Sequence, residues 1–197
     1  MPLFIIDFDD TIASKNTHNA VSEITSGGID AIWAVIKKIP PIGSPEIWQE
    51  IIRSILSHEH RLAIASFNAF GASIIPKYLQ EIIGLNLDEI SHIHVESWLP
   101  LNPNIANKND HIRFVIKDMG YSGTPESIVL IDDDPKNIRA AQNNGYKTIH
   151  AIDNYLQKVH SLSKNWSQSI DTNSFFNTTV HDNKKDKPNP ETKCTIM

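Results

Sequence analysis

Three polar clusters and one lysine carry the chemistry open to this sequence. Asp7-Phe8-Asp9-Asp10-Thr11 follows one apolar run, Ser66-Phe67-Asn68 a second, and Asp132-Asp133-Asp134 a third. Lys108 stands just ahead of a helical stretch. Carboxylates gathered in one place repel one another unless a cation sits between them. Oxygen donors of this kind suit Mg²⁺, which also takes phosphate as a ligand. Ser66 and Lys108 add a hydroxyl donor and a positive charge, which a phosphoryl group needs. The residue types alone predict phosphoryl transfer.

The elements between the clusters must bring them together. Short apolar runs at residues 3–7, 62–65, 93–95, 128–131 and 147–150 read as strands. Helical stretches fall at 29–39, 74–83, 110–119 and 135–142. Another opens at Ser44-Pro45-Glu46, an N-cap followed by proline at the first helical position, with Ile47, Ile51, Ile55 and Leu56 on one face. Strands separated by helices predict a Rossmann-like three-layer α/β sandwich with a mostly parallel central sheet. Ligands of such sheets bind at the carboxyl ends of the strands, where the three clusters fall.

In order and form the clusters resemble the motifs of the haloacid dehalogenase superfamily. The first motif, an apolar strand followed by Asp-x-Asp-x-Thr, is matched by Phe4-Ile5-Ile6-Asp7-Phe8-Asp9-Asp10-Thr11. The second, an apolar strand ending in Ser or Thr, is matched by Leu62-Ala63-Ile64-Ala65-Ser66, and the third, a lysine before a helix, by Lys108. The fourth, an apolar strand ending in paired acids, is matched by Ile128-Val129-Leu130-Ile131-Asp132-Asp133. Asn137 and Gly145-Tyr146 resemble the magnesium-dependent phosphatase branch of that superfamily.

The resemblance implies a Mg²⁺-dependent phosphomonoester hydrolase acting on a phosphorylated protein, lipid headgroup or metabolite. Asp7 is then the nucleophile that becomes an aspartyl-phosphate. Asp9 protonates the leaving oxygen and afterwards activates water. Asp7, the Asp9 backbone carbonyl and Asp132 hold the metal, with Asp133 as a further or water-mediated ligand. Thr11, Ser66, Asn68 and Lys108 contact the phosphate; Lys77 and Lys117 compete with Lys108 for the third motif. Asp10 stands where the family usually has Gly or Glu. The alternative is a catalytically idle scaffold serving as a membrane-localised binding module. Large caps in this superfamily enter after the first motif or between the second and third. Here the stretch from Thr11 to Ser66 has room only for a small helical insertion around 13–45, so an open site without a large cap is expected.

The 197-residue chain carries a net charge of −5, which argues against nucleic acid as a partner. Its one cysteine excludes an internal disulfide or a cysteine-based zinc site. The N-terminus lacks the pattern of a secretory leader, and no apolar run is long enough to span a bilayer. His92 and His94 share a strand face without a third ligand at metal spacing, and read as partly exposed polar residues. Composition turns polar near Tyr155, which predicts a phosphatase-like domain over 1–154 and a flexible polar tail over 155–197. The last residues, Cys194-Thr195-Ile196-Met197, fit a prenylation box with a farnesyl preference. Cys194 as lipid acceptor implies a prenyltransferase and a membrane surface as partners, and the cytosolic face of a eukaryotic membrane as the location. The protein is then eukaryotic or delivered into a host cell by an intracellular bacterium.

Overall fold

Every residue of β1 (Leu3–Asp7) is buried. A strand apolar on both faces belongs in the middle of a doubly covered parallel sheet. The computed structural model, which describes residues 1–166 except Thr25 and Pro103, places it there. With β2 (Arg61–Ser66), β3 (Ile93–Ser97), β4 (Ile128–Asp132) and β5 (Lys147–His150), the sheet order is β3-β2-β1-β4-β5 and every pairing is parallel. Register sets Asp7 beside Ala65 and Ile6 beside Ile131. Asp7, Ser66 and Asp132 therefore leave the sheet at one edge.

Alternation along β1 divides the core. Phe4 and Ile6 face a layer built from α2 (Gly28–Ile36), α3 (Pro45–Ser57), α4 (Gly71–Tyr78) and α8 (Tyr155–Lys164). Leu3 and Ile5 face Ile112 and Val115 of α6 (Asn109–Asp118) and Ala141 of α7 (Pro135–Asn143). The architecture is the expected α/β sandwich. Among the described residues between Thr11 and α3 the helices are α2 and the single turn α1 (Thr17–Ala20), and these residues form no large cap at the first insertion point. A short α5 (Leu87–Ser91) precedes β3.

Several expectations are corrected. Ser44 does cap α3 with Pro45 inside it, but Ile47 is exposed and Trp48 takes the core position beside Ile51, Ile52 and Ile55. The helix expected over 74–83 is α4 followed by a π-helical turn, Leu79–Ile83, closed by Gly84 at φ +83°. Left-handed backbone there suits a residue without a Cβ. The folded body also runs past the boundary expected at Tyr155. Tyr155, Val159 and Leu162 of α8 are buried, and Ser163 Oγ donates to Ser54 Oγ at 2.8 Å. Tyr155 reaches further, donating its hydroxyl to the Thr11 carbonyl at 2.6 Å. Cys194 and the rest of 167–197 lie outside the described residues. Among the described residues no helix is long and apolar enough to cross a membrane.

Candidate active site

β1 ends at Asp7, and the chain turns at once through Asp10, whose φ of +55° is left-handed. Asp tolerates that region because its short polar side chain can bond locally. The turn gathers Asp7, Asp9 and Asp10 at the sheet edge. β4 delivers Asp132 and Asp133, and Asp134 caps α7 by accepting the Lys136 N–H at 2.7 Å. Lys108, at the N-cap of α6, reaches across the edge from the opposite side.

The centre is a buried ion pair. Lys108 Nζ donates to Asp7 Oδ1 at 2.7 Å and to the Ala65 carbonyl at 3.0 Å. Burial disfavours the Lys108 charge, but Asp7, Asp132 and Asp9 outweigh that and hold its pKa above the ordinary lysine value. One lysine does not balance so many acids. Burial drives the Asp7 carboxyl well above the usual range; Lys108 pulls it down while Asp132 and Asp9 raise it further. Burial pushes Asp132 up to about 7 against the pull of Lys108 and Asn137. Asp133 is also raised, chiefly by burial. Carboxyl oxygens of Asp7, Asp132 and Asp133 lie within 4.8 Å of one another. Three crowded, desolvated oxygen donors whose ionisation is resisted fit a small divalent cation such as Mg²⁺.

Asn137 orders the centre. Its amide donates to both carboxylate oxygens of Asp132, at 2.9 and 3.1 Å, and its Oδ1 accepts the Lys108 backbone N–H at 3.1 Å. The Asp134 N–H adds a bond to Asp132 Oδ1 at 2.9 Å. A pocket of about 360 Å³ opens onto Asp7, Lys108 and Asp133, with Asp9, Asp10, Asn16, Phe67 and Asn137 also on its wall.

The remaining predicted residues sit behind that wall. Ser66 is fully buried and donates to Asp9 Oδ2 at 2.6 Å. Asp9 Oδ1 accepts from both the backbone N–H (2.6 Å) and the hydroxyl of Thr17. Asn68, expected on the phosphate, gives its amide to Thr17 Oγ1 at 2.7 Å instead. Thr11 is fully buried, and its hydroxyl finds no partner. Neither Ser66, Asn68 nor Thr11 lines the pocket. The Asp9 carboxylate lies outside the metal-like cluster, so only its backbone could serve as a ligand. Lys77 stands elsewhere, over the Trp33 ring and 3.7 Å from Glu81. Sequence reasoning missed Thr17 entirely and noted Asn137 without giving it a role.

Beneath Lys108 lies an aromatic stack. His111 is buried between Trp98, parallel at 4.2 Å, and Phe67 at 4.6 Å. Its ring nitrogens make no hydrogen bond of normal geometry. Burial, with the Lys108 charge beside it, pushes its pKa down to about 3.

The parallel α/β sandwich is the fold class that the sequence predicts. No protein-family model matches the chain. No curated protein matches it by sequence. Solved structures do match its fold. CbbY from Rhodobacter sphaeroides, in complex with phosphate, aligns at TM-score 0.53 and 15% identity over 79% of this chain and 88% of its own. A mutant of CbbY in complex with xylulose-1,5-bisphosphate aligns equally well, at 0.53. The N-terminal part of BF1531 from Bacteroides fragilis, containing a phosphatase domain complexed with Mg, aligns at 0.52 and 20% identity over 83% of this chain and 40% of its own. At these identities the likeness is one of fold.

Proposed function

We propose that the chain is a Mg²⁺-dependent phosphomonoester hydrolase acting through an aspartyl-phosphate on Asp7. The observation that carries the reading is the buried contact of Lys108 with Asp7 inside a pocket that also presents Asp133 and backs onto Asp132. Similar folds in complex with phosphate, a bisphosphate and Mg support the chemistry. Asp7, Asp132 and Asp133 would hold the ion, which supplies charge to offset that of the phosphoryl oxygens.

The chain's own groups do the rest. An Asp7 oxygen attacks phosphorus, and the bond to the leaving oxygen breaks as Asp9 gives that oxygen a proton. Asp9 then takes a proton from water, whose oxygen attacks the phosphorus, releasing inorganic phosphate and restoring Asp7. Lys108 orients Asp7 and offsets phosphoryl charge. Hydrolysis of p-nitrophenyl phosphate should require Mg²⁺ and vanish in Asp7→Asn; full activity in that variant overturns the mechanism.

The engagement of both Asp9 oxygens favours a second reading, an idle scaffold that binds without turnover. Mg²⁺ binding with no hydrolysis of any phosphomonoester would establish it. The proposal extends to a farnesyl group on Cys194 holding the enzyme at a cytosolic membrane face, in a eukaryote or in a host entered by an intracellular bacterium. Cys194→Ser should release a tagged protein from membranes; an unchanged distribution removes the lipid from the account.

A further inference from the structure

The rim of the pocket is chemically divided. One side is polar and acidic: Asp10, Asn16, Asp133 and Asp134. The other begins at Phe67, which lines the pocket and meets Trp98 edge-on at 6.1 Å. From Trp98 to Asn107 the chain carries no charged residue. This segment leaves the sheet beside the site, the Trp98 N–H donating to the Ser66 carbonyl at 3.3 Å. Further on, Lys136, in the first turn of α7 between the pocket residues Pro135 and Asn137, donates to the Asn104 carbonyl at 2.9 Å.

Its apolar side chains face water. Leu99, Leu101 and Ile105 are exposed, and so is Phe114 of α6, which meets Trp98 edge-on at 6.0 Å. Leu101 exposes 106% of its reference surface, so it projects clear of every neighbour. Large aliphatic side chains exposed on a loop that is tied beside a charged pocket at Phe67 and at Lys136 mark an interaction surface. Resting on the phosphatase reading above, we propose that this rim seats the apolar part of a membrane lipid phosphomonoester, placing its headgroup phosphate at Asp7 and Lys108.

The shape decides between a lipid and a peptide. Peptide recognition uses a groove with side-chain pockets, or a strand edge that supplies backbone bonds. Leu99, Leu101 and Ile105 instead protrude, which suits entry into the fluid boundary between headgroups and acyl chains. The loop meets the pocket wall through the Phe67–Trp98 contact, so in this proposal a phosphate at the bilayer surface meets the site while the aliphatic side chains are buried. A small sugar phosphate would leave these side chains in water.

The test uses the full chain, Mg²⁺, and phosphatidylcholine vesicles containing phosphatidate, with p-nitrophenyl phosphate as the soluble comparison. The double variant Leu101→Glu with Ile105→Glu changes only exposed positions. It should lose at least about tenfold in phosphate release from vesicles, and keep soluble hydrolysis within about twofold. Wild type should co-sediment with the vesicles, with a blue shift in tryptophan emission that the variant lacks. Equal lipid turnover by wild type and variant overturns the proposal. So does the absence of lipid turnover in a preparation that hydrolyses the soluble ester, or a loss confined to a phosphopeptide substrate. Failure on the soluble ester as well overturns the phosphatase reading itself, and this proposal with it.

Discussion

Lys108 and Asp7 form a buried ion pair across the sheet edge, 2.7 Å apart and shielded from water on every side but the pocket. Removing one partner strands a charge where water does not compensate it. Lys108→Met should destabilise the fold by about 3–5 kcal/mol. Adding Asp7→Asn should return part of that loss, because the two residues act as a unit. Urea unfolding of the two single variants and the double variant checks this; additive effects would show that the pair is energetically independent.

Asp132 links stability to pH. Its pKa is raised from the usual carboxylate value to about 7 in the folded state, so the folded form prefers the protonated acid. That preference contributes stability below the ordinary Asp value and is lost as pH rises through about 7. In chelator, wild type should therefore lose stability relative to Asp132→Asn as pH climbs from 5 to 8. Mg²⁺ should flatten the difference for wild type, since it favours the charged form. Parallel thermal midpoints for the two proteins across that range would contradict the assignment.

Asn137 joins two motifs by holding the Asp132 carboxylate and the Lys108 backbone at once. Asn137→Leu removes both contacts and leaves buried polar groups unpaired. The expected cost is about 1–3 kcal/mol of stability, with Mg²⁺ affinity weakened by roughly 10–100-fold. Isothermal titration with Mg²⁺ measures the second quantity; unchanged affinity would limit Asn137 to a packing role.

Thr17 should affect turnover more than binding. Thr17→Val removes one donor to Asp9 and the acceptor of the Asn68 amide. Because Asp9 is assigned to proton transfer, kcat should fall by roughly tenfold or more with KM little changed. A rise in KM alone would place Thr17 in substrate binding.

His111 should stay uncharged wherever the protein is folded. With its pKa pushed down to about 3 by burial and by Lys108, it resists protonation that the unfolded chain accepts near the ordinary histidine value. Its contribution to stability is present above that ordinary value and is lost as pH falls below it. His111→Phe should therefore be less sensitive to acid than wild type, and the His111 ring resonances should not titrate between pH 8 and 5. A titration midpoint near 6.5 would show a wetter ring than the stack with Trp98 and Phe67 allows.

The sheet was legible in the sequence because its strands are short, apolar and rich in Ile and Val, with few competing periodicities. Asp7, Lys108, Asp132 and Asp133 were legible because strand ends and helix starts are local features. What the sequence concealed depends on contacts between distant segments. Nothing local marks Thr17 as the partner of Asp9, since the two meet across a turn and the first step of a separate helix. The roles of Ser66 and Asn68 depend on which way their side chains point, and both point inward to Asp9 and Thr17. In α8 the periodic Tyr155, Val159 and Leu162 are interleaved with Gln157, Lys158, Ser161 and Lys164, so overall polarity masked an amphipathic face.

The Tyr155 hydroxyl, bonded to the Thr11 carbonyl, gives the molecule a short mechanical circuit. Thr11 belongs to the turn that carries Asp9, and Tyr155 opens the last described helix. The start of α8 is therefore tied directly to that turn, while the rest of the helix is held by the buried Val159 and Leu162 and by the Ser163–Ser54 bond. Tyr155→Phe would cut that tie to the Thr11 turn while leaving the ring in its place.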